Sequence, residues 1–207
     1  MSVWLALPAS PSGLDADALF ERAKNLNPGL QDYAADMSLA LDAKVSFVPY
    51  KPKLKGTYYY KKPDKNKVEL EKAPGFLKRY PNIYGFNLPN LEKYNARVVG
   101  REKLNGEDCH HVELIPKVFK SDVRRVDVWI HSTSYTVLRH QTTYAKEGLL
   151  TVDTEFQTVD GYLVLKGMRA VIHFPSASME ATARAQYSNY RFNQNLPDSL
   201  FSSRQEG

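Results

Sequence analysis

The chain has 207 residues, 43% hydrophobic and 25% charged, which suits one globular domain large enough to bury a core. Its formal net charge of +5 is spread along the chain, with no arginine-rich block that would mark a nucleic-acid or membrane patch. No run approaches the length of a membrane-spanning helix, and the single cysteine, Cys109, excludes an internal disulfide framework.

The chain opens on "VWLALPASPSG", Val3 to Gly13, a short apolar run leading into small residues and prolines. Residues 1–13 fit the tail of a secretory signal whose basic start is missing, or a disordered N-terminus, ahead of one domain over 14–207. "DADALFERAKNLNPG" predicts a helix, capped by Asp15 or Asp17. Leu19, Phe20, Ala23 and Leu26 give it one apolar face, and Asn27-Pro28-Gly29 stops it.

The period then changes to two. Tyr33, Ala35, Met37, Leu39, Leu41, Ala43, Val45 and Phe47 occupy one face of a long half-buried strand, which Pro49 and Pro52 end. "GTYYYKK" follows as a strand, Pro63-Asp64-Lys65-Asn66 as a turn and "KVELEK" as the return strand. Alternation sends Tyr58 and Tyr60 to one face and Tyr59 to the other, so the run is no stacking platform for nucleic acid.

The stretch from Ala73 to Tyr94 breaks every period. It carries Pro74, Pro81 and Pro89 but also Phe76, Leu77, Tyr80, Ile83, Tyr84, Phe86, Leu88 and Leu91. A solvated loop needs no such set, so the segment is expected to cover something apolar. Alternation returns after it, with turns at Asn105-Gly106, His131 to Tyr135, Lys146 to Gly148 and Asp160-Gly161. Met179, Ala181, Ala183, Ala185 and Tyr187 share one face of a closing strand. The sum is about ten strands in sequential hairpins, with no βαβ unit.

Catalytic signatures are missing. There is no phosphate loop, GxSxG elbow or HExxH. "DCHHVE", Asp108 to Glu113, places Cys109 and His111 on one strand face and His110 on the other, two ligands short of a zinc site. Asp127, Asp153 and Glu155 sit on strands and cannot be paired for acid–base work from spacing alone. The expectation is a binding protein without metal or cofactor, and not an enzyme.

The capped helix, the long amphipathic strand, "KGTYYYKKP", "VWI", "VDGY" and the closing "YSNYRFNQNLPDSLF" together resemble the outer-membrane lipoprotein-sorting family, the LolA-like proteins, which includes the sensor RseB. The resemblance runs from about Leu14 to Phe201. It implies a mainly β (α+β) fold: a curved, incompletely closed antiparallel sheet, or half-barrel, with a helical lid over its concave face and an apolar cavity between them. It further implies a monomeric periplasmic carrier of lipid or lipoprotein acyl chains, working with inner- or outer-membrane transport components. An RseB-like envelope sensor, whose ligand binding controls a protein partner, is the alternative. That sensor type normally carries a second, smaller domain.

On this resemblance the candidate acyl-binding wall is Met37, Leu39, Leu41, Val128, Ile130, Met168, Ile172 and Phe174. The candidate lid is Leu19, Phe20, Phe76, Leu77, Ile83 and Phe86. Lys62 stands where the carriers typically have a lid-latching arginine, and a lysine makes a less directional latch than a guanidinium. "APGFLKRYPNIYGF" replaces the family's Asp-Gly-aromatic hairpin, which favours a lipid-like ligand over lipoprotein escort.

Overall fold

The computed structural model describes residues 15–45, 48–71, 88–118 and 122–202. Residues 1–13, and with them the signal-remnant reading, lie outside the described residues, as do Phe76, Leu77, Ile83 and Phe86 of the expected lid.

One α-helix is present among the described residues, α1 (Ala16–Lys24). Asp15 caps it, its carboxylate accepting from the Ala18 N–H at 2.7 Å, and Asp17 lies in the first turn. Lys24 ends it, so Leu26 falls just beyond the helix.

The rest is β. The strands are β1 (Asp32–Val45), β2 (Val48–Tyr50), β3 (Lys53–Lys61), β4 (Lys65–Leu70), β5 (Tyr94–Leu104) and β6 (Glu107–Pro116). They continue with β7 (Val123–His131), β8 (Val137–Tyr144), β9 (Leu149–Val159), β10 (Tyr162–Phe174) and β11 (Met179–Phe192). All belong to one 11-stranded sheet in the order β4-β3-β1-β11-β10-β9-β8-β7-β6-β5, with β2 folded back on the end of β1. Every pairing is antiparallel. Among the described residues β4 and β5 are its two edges, so the described sheet is open. The sequence anticipates the meander from β5 to β11. It gives no sign of β2, a three-residue return paired with Ala43 to Val45.

Turn chemistry fixes the hairpins. Asn105 and Gly106 take φ of 52° and 93°, and Asp160 and Gly161 take 48° and 81°. These are left-handed conformations that Asn, Asp and Gly adopt at least cost. Gly56 answers a different need. A Cβ there would lie 2.2 Å from the Glu69 carbonyl oxygen of β4, so only glycine allows β3 and β4 to approach.

Period-two alternation divides the sheet into a covered and an outer face. Two apolar clusters occupy the covered face. The first joins Tyr33, Met37, Leu39 and Leu41 of β1 to Tyr58 of β3, Val152 of β9, Met168 and Ile172 of β10, and Ala183 and Ala185 of β11. The second seats Ala16, Leu19, Phe20 and Ala23 of α1 on Val112, Leu114, Val126, Val128, Ile130 and Val137. Leu19 and Phe20 are fully buried. A nine-residue helix has little stability alone, so this contact is what keeps α1 helical.

The C-terminal segment is strapped across the start of β1. The buried Asp32 carboxylate accepts from the Gln194 N–H at 2.7 Å and the Leu196 N–H at 3.1 Å. Lys61 donates to the Leu196 carbonyl at 2.6 Å.

Candidate functional site

The two clusters do not meet everywhere. At their seam, beside the C-terminal end of α1, a cavity of about 80 Å³ opens. Leu30, Val137, Phe156 and Leu163 to Leu165 form apolar walls, with Ala23 and Leu26 from the α1 end and Leu88 from the segment before β5. Tyr33, Tyr58 and Tyr60 line one side.

These tyrosines follow from strand pairing. Tyr33 of β1 lies opposite Tyr60 of β3, and Ala35 opposite Tyr58. Small Ala35 leaves room for the Tyr58 ring. Tyr33 packs 5.3 Å from Tyr60 and 5.8 Å from Tyr58, and Tyr58 packs edge-on to Tyr187 at 5.3 Å. Burial, reinforced by neighbouring tyrosines, raises Tyr33 and Tyr58 well above the ordinary phenol range. Tyr60 is pushed up to about 12, by burial first and the Asp64 carboxylate second. The wall is therefore uncharged at any physiological pH: aromatic carbon with hydroxyl groups able to donate one hydrogen bond each.

The rim is tied together by Asn27, just past α1. Its side-chain amide donates to the Leu163 carbonyl at 2.9 Å and its side-chain oxygen accepts from the Leu163 N–H at 2.8 Å. Its backbone carbonyl accepts from the Lys62 amine at 2.6 Å. One residue thus couples the α1–β1 connection, the start of β10 and the β3–β4 turn. α1 itself is held at its flank, where Arg22 donates to the Tyr135 hydroxyl and lies 4.8 Å from the ring centroid.

The residues expected to bind acyl chains all lie on the covered face or at its margin. Met37, Leu39, Leu41, Met168 and Ile172 pack in the first cluster, with Phe174 half-buried against it, and Val128 and Ile130 pack in the second. The cavity is lined instead by other residues, Tyr33 and Val164 along the same strands and Tyr58 on the adjacent β3 among them. Leu19 and Phe20 sit on the buried face of α1, and Lys62 lies at the cavity rim. Alternation places Tyr33 on the apolar face of its strand and Tyr58 with Tyr60 on one face of theirs, but the pairing of Tyr33 with Tyr60 comes from the folded register. The Asn27 bridge has no sequence signal beyond its turn.

The polar groups of the outer face form ion pairs. His111 stacks on Trp129 at 4.7 Å and lies 2.8 Å from Asp127 and 3.4 Å from Glu102. Asp153 joins Arg139 and Arg169, and Glu155 joins Lys166. Among the described residues no group of three or more His, Cys, Asp or Glu side chains is arranged to hold a metal ion.

This geometry has relatives. A family model described as "Uncharacterized protein" matches residues 85–205, more than half of the chain. The chain belongs to that family, and its fold is LolA-like. No curated protein matches the sequence. Among solved structures, a DUF1329 family protein from Desulfovibrio piger is 15% identical with a TM-score of 0.64, covering 91% of this chain and 97% of its own. A protein from Vibrio parahaemolyticus described as an outer membrane lipoprotein-sorting protein domain is 19% identical with a TM-score of 0.64, covering 89% and 94%. A LolA superfamily protein from Nitrosomonas europaea is 13% identical with a TM-score of 0.62, covering 92% and 99%. At these identities the likeness is one of fold: a large open antiparallel sheet with a helix on one face.

Proposed function

We propose that this LolA-like protein is a non-enzymatic carrier in the bacterial periplasm that holds an acyl chain between its sheet and the covering segments. The observation that carries the reading is the apolar cavity at the seam between α1 and the covered face. The lipoprotein-sorting description of a relative with the same fold supports it.

The cavity's 80 Å³ admits roughly five to eight methylene-sized groups, allowing 10–15 Å³ for each. At about 0.8 kcal/mol per CH₂, that segment contributes roughly 4–6 kcal/mol. A longer chain extends along the covered face toward Met37 and Met168, whose flexible thioether side chains yield to it more readily than branched residues. Binding requires no bond to be made or broken, so the walls need only be apolar and adaptable. In this reading the sheet curves around the ligand, and Phe76, Leu77, Ile83 and Phe86 complete the lid with α1.

Titration of delipidated protein with a fluorescent fatty acid tests the proposal. Saturable binding at one site per chain is expected. The double substitution Phe76→Asp, Ile83→Asp should abolish it while leaving the circular dichroism spectrum unchanged. Unchanged binding in that variant would remove the lid from the account, and no binding by the parent protein would end the carrier reading.

A further inference from the structure

At the rim of the apolar cavity stands a cation that forms no ion pair among the described residues. Lys62 lines the cavity, and its amine donates to two backbone carbonyls, Asn27 at 2.6 Å and Pro28 at 3.4 Å. The lysines around it behave differently. Lys61 and Lys65 both turn to Asp198, at 2.7 and 3.1 Å, and Lys24 pairs with Glu21 at 3.0 Å. Among the described residues, no carboxylate stands within 4.0 Å of the Lys62 amine. The Asp64 carboxylate also lines the cavity without pairing with the Lys62 amine, and its charge helps to raise the Tyr60 hydroxyl.

An ammonium group has three donors, and carbonyls engage two of them. Both carbonyls lie on the α1–β1 connection, so they hold the amine at the rim without cancelling its charge. Tyr60, Asn66 and Asn27 stand around the same rim and supply neutral polar groups. Below them the walls are apolar. Polar at one end, apolar below and a few methylenes in capacity, the cavity matches one chain with one anionic head and is too small for three chains.

We propose that Lys62 forms the head-group subsite of this cavity, binding the anionic head of a single-chain amphiphile, a carboxylate or a phosphate monoester, whose chain enters between the tyrosines and Leu163 to Leu165. The proposal rests on the carrier reading and adds the ligand's class to it. It gives Lys62 a role that a lid latch does not need, because a latch is satisfied by the Asn27 carbonyl alone.

Competition against a bound fluorescent acyl probe at pH 8 tests it, using palmitate, hexadecyl phosphate and hexadecanol as competitors. The protein should prefer palmitate or hexadecyl phosphate to hexadecanol by about tenfold, as expected for one charge-assisted hydrogen bond. Whichever anion is preferred identifies the head. Lys62→Gln, which keeps a donor for the Asn27 carbonyl, should erase that preference while leaving hexadecanol affinity unchanged, and Lys62→Arg should restore it. Equal affinity for all three competitors in the parent protein would overturn the subsite and leave the carrier reading standing. A Lys62→Gln variant that weakens acid and alcohol alike would make Lys62 a latch only and overturn the subsite too. Failure of the probe itself to bind would overturn the carrier reading and the subsite with it.

Discussion

Replacing Phe20 by alanine tests what holds α1 on the sheet. Phe20 is fully buried, and with Leu19 it is one of the two large apolar side chains that α1 packs on the strands β6 to β8. Phe-to-Ala changes in well-packed cores cost about 3–5 kcal/mol. The upper half of that range fits here, because a nine-residue helix has little stability of its own to retain the rest of the contact. For a chain of this length each kcal/mol lowers Tm by roughly 2–4 °C, so Tm should fall by roughly 8–20 °C. Phe20→Leu should recover most of the loss, and Glu21→Ala, on the exposed side of the same turn, should stay within about 0.5 kcal/mol. Thermal unfolding followed by far-ultraviolet circular dichroism reads all three. A Tm change below about 2 °C for Phe20→Ala would refute the claim that this face anchors the helix.

Gly56→Ala should destabilise by more than about 1 kcal/mol, since its Cβ would sit 2.2 Å from a backbone oxygen that cannot rotate away, and urea denaturation measures the loss. Asp32→Asn should speed amide hydrogen exchange at Gln194 or Leu196, because the neutral amide offers a single acceptor atom where the carboxylate serves two N–H groups. His140 lies buried on the covered face, where desolvation lowers its pKa to about 4. The unfolded chain takes up its proton near pH 6.5 but the folded chain does not, so stability is lost as pH falls from about 6.5 to 4. His140 should account for roughly 3 kcal/mol of that loss, and His140→Gln should flatten the stability profile across the same window.

Backbone periodicity made most of the fold legible. The alternation from Tyr33 to Ala43 gives β1 and its buried face, and Asn105-Gly106 and Asp160-Gly161 give their hairpins, because one physical rule governs each. β2 escaped because three residues holding a proline show no period. The site was less legible for a similar reason. Alternation places Met37, Leu39 and Met168 on the covered face but says nothing about where two packed clusters fail to meet. That seam depends on the end of α1, the depth of the Tyr58 ring and the Asn27 bridge, which are properties of tertiary packing. The family resemblance singles out Lys62 by its place before the turn proline. Its partners, two backbone carbonyls more than thirty residues away, belong to the folded chain alone.

The carrier account is tested most directly by what the protein holds when purified under native conditions. Organic extraction followed by mass spectrometry should yield one single-chain acidic amphiphile per protein chain, and addition of the delipidated protein to fluorescent fatty acid should refill the same site. A protein that carries no lipid and takes up none would contradict the account.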